Sequence, residues 1–223
     1  MTNLIKNNER LDDLQINNLF IIQNPQEYCF TSDAVALANF VHVSNYGRVV
    51  DLCSGSGVIG ILVNAKNKVK DVKLIEIQEY LADMSRRTIA YNHLDNIDVI
   101  CSKLQGISNI IGSDIYDVVT CNPPYQMTGT VKKLSEKESI AICKHEVCVK
   151  LEEIVCEASK LLKFGGCFYT VNKEDRLTDL IIACRKYNLE PKELKVLPSK
   201  KGANVILLKA KKGGKSGIKI LLK

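Results

Sequence analysis

Apolar and polar positions along the chain follow two periods by turns. Short apolar runs rich in β-branched residues, at Val49–Cys53, Val72–Ile77, Ile97–Cys101, Tyr116–Cys121 and Cys167–Val171, predict buried strands. Between them, apolar residues recur at steps of three and four and predict helices. Ser32 or Asp33 caps the first, whose inner face is Ala34, Leu37, Ala38 and Val41. A second helix follows a glycine-rich segment and runs through about Asn64, and a third spans Glu79 to Asn92. Leu151, Ile154, Val155, Ala158, Leu161 and Leu162 form the face of a fourth, which Gly165-Gly166 ends. Leu177, Leu180, Ile181, Cys184 and Tyr187 form the face of a fifth. Leu19-Phe20-Ile21-Ile22 reads as a short strand, and Gln126 to Glu138, polar and without period, as a loop. Two last runs, near Glu193 to Leu197 and Asn204 to Ala210, are spaced for a hairpin, and Gly213-Gly214 with the lysines beyond reads as a loose end.

Strands alternating with helices predict an α/β fold: a doubly wound, mostly parallel sheet covered on both faces, closed by a C-terminal antiparallel hairpin. One domain is expected over residues 1–223, with an N-terminal extension at 1–32 and a basic hairpin and tail at 192–223. Such folds bind ligands beyond the carboxyl ends of their strands. Asp51 to Gly57, Glu76, Ser102 and Asn122 to Tyr125 all stand at predicted carboxyl ends and should share one cleft.

Composition narrows this little. The 223 residues carry 31 Lys+Arg against 25 Asp+Glu, net +6. The excess concentrates from Lys192 to Lys223, with ten lysines and one acid, Glu193, which suits a polyanionic partner or a solvated surface. The nine cysteines form no CxxC pair, Met1 to Asp13 is polar, and no apolar run reaches a membrane span. A cytoplasmic protein with free thiols follows. Cys143, His145 and Cys148 match no common zinc spacing, so no metal is expected.

Two segments carry chemistry. In Asn122-Pro123-Pro124-Tyr125 the prolines donate no backbone hydrogen bond, fix their φ angles and push the preceding residues towards extended geometry. The strand therefore stops in a stiff corner that holds the Asn122 amide, the Pro123 carbonyl and the Tyr125 ring in fixed relation. Two acceptors and an aromatic plate suit a flat amide-like or base-like amine; a plain strand terminator is the alternative. Upstream, Gly55, Gly57 and Gly60 match G-x-G-x-x-G between a strand and a helix, with Glu76 placed to hold a ribose diol, as in dinucleotide sites. Asp51 just before this loop favours the cationic end of an aminoacyl sulfonium ligand and repels a pyrophosphate there. S-adenosylmethionine is thereby favoured over NAD, and a dehydrogenase gives no reason for the proline corner.

Asp51-Leu52-Cys53-Ser54-Gly55-Ser56-Gly57 followed by Asn122-Pro123-Pro124-Tyr125 resembles the class I, Rossmann-like S-adenosylmethionine-dependent amino methyltransferases. More narrowly, the chain resembles the bacterial tRNA(Val) adenine-N6 methyltransferases, which modify the adenosine just 3′ of the anticodon. Phe30-Thr31-Ser32-Asp33-Ala34-Val35, Val50 to Gly60, Ile75-Glu76-Ile77-Gln78, Asp117 to Tyr125, Lys144-His145-Glu146, Lys200 to Leu207 and Gly213-Gly214-Lys215 carry that narrower resemblance. It implies a tRNA adenine-N6 methyltransferase, favoured as a monomer, with Asn122, Pro123, Pro124 and Tyr125 as catalytic residues. It also implies an S-adenosylmethionine site made by Phe30, Thr31, Asp33, Asp51, Cys53, Ser54, Gly55, Gly57, Glu76, Ile77, Ser102 and Asn122. With tRNA as partner, Lys132, Lys133, Lys144, Lys200, Lys201, Lys211, Lys212 and Lys215 are candidates for phosphate contact. The chain departs from many relatives at Cys53, where they have Gly, and at Ser102-Lys103, where they place an acid for the cofactor adenine; lysine cannot accept that bond. Protein-glutamine N5 methyltransferases share the corner but carry a long helical domain before the cofactor fold, and DNA adenine methyltransferases add a target-reading domain. A non-catalytic RNA-binding module on the same fold is a further alternative.

Overall fold

The computed structural model describes residues 4–27, 29–123, 149–199 and 202–222. It opens with strands β1 (Arg10–Asp13) and β2 (Phe20–Gln23), then helix α1 (Ser32–Phe40). Next come β3 (Arg48–Leu52), α2 (Val58–Lys66), β4 (Asp71–Glu76), α3 (Glu79–Tyr91) and β5 (Ile97–Cys101). A short α4 (Ile107–Ile111) leads to β6 (Tyr116–Cys121). After the proline corner follow α5 (Leu151–Leu161), β7 (Leu162–Lys173), α6 (Leu177–Lys186), β8 (Leu189–Leu197), β9 (Val205–Lys212) and β10 (Lys219–Leu221).

The main sheet has the order β10-β8-β9-β7-β6-β3-β4-β5. β3, β4, β5, β6 and β7 pair in parallel, and β9 runs antiparallel to both β7 and β8. The doubly wound α/β sheet with its C-terminal hairpin is therefore present. Side chains alternate across it, as strand geometry requires. Val49, Leu74, Val118 and Tyr169 pack with α1 and α2, while Val50, Ile75, Val119 and Phe168 pack with α5.

Four expectations need correction. The fourth helix does not run to Gly165-Gly166; it ends at Leu161, and β7 starts at Leu162. The two glycines lie inside β7, where a Cβ on Gly166 would stand 3.1 Å from the Asp117 carbonyl, beside a register shift between Tyr116 and Val118. Gly166 marks a close strand approach, and Gly165, at φ +81°, a left-handed backbone position within the strand, not a helix stop. The inner face of α6 uses Ala183 with Leu180 and Cys184, in place of Ile181. The segment after Gly213-Gly214 is not loose: β10 pairs with β8, and Lys192 Nζ donates to the Lys215 and Gly217 carbonyls at 2.9 and 2.7 Å. Finally, Thr31 is the N-cap of α1, and no side chain caps it.

The N-terminal segment is a hairpin of β1 on β2, fastened to α3. Arg87 grips both oxygens of Glu9 at 2.6 and 2.7 Å, and the Ile22 amide donates to Thr88 Oγ1 at 3.1 Å. Ile22, Leu81 and Met84 form the apolar seam.

Candidate active site

The strand order reverses between β3 and β6: the chain winds through β4 and β5 on one side, then crosses to β6 and β7 on the other. The crevice of an open α/β sheet forms at such a switch point. The glycine loop after β3 and the corner after β6 stand on either side of it, since Leu52 pairs with Cys121. Adjacent strands lie about 4.8 Å apart, so the carboxyl ends from β6 to β5 span roughly 14 Å. Asn122, Ser54 to Gly57, Glu76 and Ser102 stand along that line.

The glycine loop is held from several sides. The Ser54 amide donates to the Ile75 carbonyl at 3.0 Å, and the Gly57 amide closes a turn on the Ser54 carbonyl at 2.8 Å. The Gly55 amide donates to Glu76 Oε2 at 2.8 Å, while the Ser85 hydroxyl of α3 donates to the Gly55 carbonyl at 3.1 Å. Gly57 has φ +84°, and a Cβ there would stand 2.8 Å from Leu74 Cδ1. Gly60 lies against the same leucine, where a Cβ would come within 2.3 Å of Cδ2. Ser54 Oγ is buried and has no hydrogen-bond partner. A buried hydroxyl without a protein partner in a tight loop has a hydrogen bond to give to a ligand or a water.

The two acids differ from expectation in their surroundings. Asp51 is 0 % exposed; its Oδ1 accepts from the Thr120 hydroxyl at 2.7 Å and its Oδ2 from the Gly60 amide at 3.3 Å. Its carboxyl lies enclosed beneath the loop, so it would reach a ligand through its field and not by contact. Burial pushes its pKa up to about 7, against the Thr120 and Gly60 hydrogen bonds, with Glu76 adding to the rise. Glu76 is 5 % exposed, and its Oε1 accepts from the Gln78 amide at 2.9 Å. Burial raises its pKa as well. Cys53 has φ +54°, in the left-handed region that glycine occupies most easily, which gives a backbone reason for the glycine of many relatives. Its side chain packs against the core cluster that holds Cys121, whose pKa burial pushes well up, with Cys53 adding to the rise.

Phe30 is brought to the loop by its amide, which donates to Gln23 Oε1 at 3.0 Å; Thr31 and Asp33 follow at the start of α1. Ile77 is partly exposed, and Ser102 donates its hydroxyl to the Lys103 carbonyl at 3.1 Å while its amide binds the Glu76 carbonyl. Asn122 is half-buried and Pro123 buried. Pro124, Tyr125, Lys132, Lys133, Lys144, Lys200 and Lys201 lie outside the described residues, as do Cys143, His145, Cys148 and the Gln126 to Glu138 stretch.

Three candidate lysines do not share this cleft. Lys211 pairs with Cys167, midway along β7 and level with Val118 towards the amino end of β6, and Lys212 and Lys215 follow it. Lys212 is 16 % exposed in its side chain and bound to Asp114 and to the Ser159 and Leu162 carbonyls at 2.6, 2.6 and 2.8 Å. It ties β9 to the end of α5, and a phosphate contact from it would break those bonds. A cavity of about 360 Å³ lined by Phe40, His42, Lys195 and Leu221 sits at the carboxyl end of α1, away from the glycine loop. Sequence reasoning missed Thr120, Ser85 and Gln23. Thr120 and Gln23 are polar residues in or at the end of an apolar run, and that interruption was the available signal; Ser85, between Met84 and Arg86, gave none.

Comparison with known proteins agrees with this geometry. The family model described as methyltransferase small domain matches residues 32–183. A Porphyromonas gingivalis protein named tRNA1(Val) (adenine(37)-N6)-methyltransferase is 26% identical over 163 residues, 70% of this chain and 63% of its own length. A Phocaeicola vulgatus protein of the same name is 22% identical over 77% of this chain and 71% of its own. Matches to the first two relatives thus span 63% and 60% of those proteins. Among solved structures, a predicted O-methyltransferase from Agrobacterium tumefaciens superposes with a TM-score of 0.66, at 22% identity over 84% of both chains. TYW2 from M. jannaschii, in complex with AdoMet, gives a TM-score of 0.63 at 17% identity, covering 92% of this chain and 86% of that one. Among the described residues, no helix is long and apolar enough to cross a membrane.

Proposed function

The chain belongs to the methyltransferase small domain family, and from that premise we propose that it methylates the N6 amine of an adenosine beside the anticodon of tRNA(Val), using S-adenosylmethionine. The observation that carries the reading is the pairing of β3 with β6, which sets the Asn122-Pro123 corner beside the glycine loop at the switch point. The residues present fit that cofactor. Ser54 Oγ offers an unused hydrogen bond, Gly57 and Gly60 leave no room for a side chain, and Glu76 stands at the end of β4 to meet a ribose diol. When bound, S-adenosylmethionine supplies an activated methyl group.

The protein's own contribution is to bind and orient. The exocyclic amine of adenine is a poor nucleophile because its lone pair is delocalised into the ring. Asn122 Oδ1 and the Pro123 carbonyl accept its two N–H bonds and favour a more localised nitrogen. Tyr125 stacks on the base, a contact worth about 1–3 kcal/mol. Holding the amine in one direction supplies much of the rate, and no side chain need act as a strong base. The base leaves its stack more cheaply in an anticodon loop than in a duplex.

The test is to incubate the protein with labelled S-adenosylmethionine and total unmodified tRNA, digest to nucleosides, and find the label. N6-methyladenosine is expected; label on protein glutamine, or none on RNA, overturns the reading. Asn122→Ala should abolish transfer and leave cofactor affinity within a few-fold, and wild-type turnover in that variant would remove Asn122 from its role.

A further inference from the structure

The N-terminal hairpin ends in a side chain that bonds to two separate stretches of the site. Gln23, the last residue of β2, is 0 % exposed, although its side chain is a primary amide. A buried amide persists only where its donors and acceptor are satisfied. Its Nε2 donates to Ser56 Oγ at 2.8 Å and, more weakly, to the Ile22 carbonyl at 3.3 Å; its Oε1 accepts from the Phe30 amide at 3.0 Å. Ser56 belongs to the glycine loop, and Phe30 opens the segment that enters α1. One side chain therefore spans two stretches of chain that otherwise approach the cleft from different elements.

Three features give this bridge functional content. First, Ser56 is buried and stands between Gly55 and Gly57, so its hydroxyl position sets the loop's path. Second, the other loop contacts, from Ile75, Glu76 and Ser85, all come from β4 and α3. The Gln23 bond alone among those described reaches the loop from the hairpin. Third, the hairpin cannot drift, because Arg87 holds Glu9, and Asn92 binds the Phe20 amide and carbonyl at 2.9 and 2.7 Å. The bridge thus transmits a fixed position and does not merely fill space.

We propose that Gln23 is a positioning residue of the cofactor site: its amide sets the glycine loop and the Phe30–Asp33 segment in the relative placement that S-adenosylmethionine requires. Gln23 itself touches neither cofactor nor methyl acceptor. The inference rests on the cofactor reading of the loop and is independent of which RNA is methylated.

The experiment uses the full chain and S-adenosylmethionine itself. Calorimetry gives the cofactor Kd without RNA, and steady-state kinetics give KM for cofactor and kcat for methyl transfer. Gln23→Leu keeps the size and removes the bonds to Ser56 and Phe30, with the weaker one to Ile22; losing the two bridging neutral hydrogen bonds corresponds to roughly a tenfold weaker Kd and higher KM. At saturating cofactor, kcat should stay within about twofold, because the acceptors for the amine are unchanged. Ser56→Ala removes the same bond from the other side, and the double variant should lose less than the product of the two single losses. A general loss of packing would lower thermal stability and kcat together and would give multiplicative losses. Unchanged cofactor affinity in Gln23→Leu, or single losses that multiply, overturns the inference while the cofactor reading stands. A wild-type chain that binds no S-adenosylmethionine overturns both. If Gln23→Leu fails to fold, Ser56→Ala decides alone: a cofactor Kd equal to wild type overturns the bridge, and a several-fold rise supports it.

Discussion

Replacing Asp51 by Asn reads the electrostatics beneath the glycine loop directly. In the unfolded chain this carboxyl ionises at its ordinary 3.8, and in the folded chain at about 7. Between those values the folded state keeps a proton that the unfolded state has lost. Stability therefore falls as pH rises through this window and levels off above about 7. At about 1.36 kcal/mol for each pH unit, the whole fall is on the order of 4 kcal/mol. Asn cannot ionise, yet it can keep the local bonds: its carbonyl accepts from Gly60, its amide donates to Thr120 Oγ1, and the Thr120 hydroxyl turns to the Val50 carbonyl, 3.4 Å away. Urea denaturation of both proteins, without ligand, from about pH 5 to about pH 8, gives the stability difference at each pH. Titrating groups that do not interact with Asp51 are common to both chains and cancel; Glu76, which adds to the Asp51 rise, changes the size of the difference but not its direction. The variant should gain on wild type by about 3 kcal/mol across that range, by the same 1.36 kcal/mol factor. Any fixed cost of fitting Asn shifts the curve without changing its slope. A difference that does not vary with pH would refute the argument, because it would mean that Asp51 ionises normally in the fold. The same logic applies to the ligand. A cationic cofactor favours the ionised carboxylate, so affinity should rise with pH towards about 7 in wild type and stay flat in Asp51→Asn.

Gly57→Ala should cost about 1–3 kcal/mol, because a Cβ at φ +84° meets Leu74 at 2.8 Å in a filled core. A melting temperature equal to wild type would count against the close approach. Lys212→Met should destabilise the fold by about 1–3 kcal/mol through the carbonyls and carboxylate it leaves unpaired. It should leave the slope of log affinity against log salt for tRNA unchanged, and a slope shallower by about one would restore Lys212 to the phosphate contacts.

Much of this arrangement was legible in the chain because its central strands are buried on both faces. Tyr116–Cys121, in the middle of the sheet, was expected over the residues it occupies, and Ile97–Cys101, at the sheet's edge, was expected near its observed bounds. Elements that owe their existence to tertiary pairing were not. β1 has one apolar residue, Leu11, in Arg10–Asp13, and forms only because Glu9 and β2 are fastened to α3. β10 is three residues long and exists through its pairing with β8. α4 spans five residues between Gly106 and Gly112, too few to show a helical period. In the site, glycines and acids announced themselves by spacing, whereas Gln23 and Thr120 act through partners 33 and 69 residues away, at Ser56 and Asp51. No local pattern encodes such a partner. Gly165-Gly166 shows the opposite failure: a strong local signal for a helix end, overridden because β7 needs glycine where it crosses close to β6.

The reversal of β9 divides the basic C-terminal stretch. Val205 pairs with Leu197 of β8 and with Lys173 at the carboxyl end of β7, so the segment joining β8 to β9 approaches the same edge of the sheet as the Asn122 corner. Lys211 and Lys212 are six and seven residues further along β9, level with the amino end of β6. At about 3.4 Å for each residue, Lys212 stands roughly 24 Å from Val205. That separation equals roughly seven base-pair rises of a nucleic acid strand. A nucleotide held at Asn122 and a phosphate held by Lys211 or Lys215 therefore belong to different parts of any RNA. For an anticodon arm, a loop seated at the corner meets those lysines only through a stem that follows the β9 direction down the molecule. The charge excess of the tail thus does not by itself locate the substrate. The carboxyl edge is the better guide to the proposed site, because the Asn122 corner, the glycine loop and the start of β9 converge there.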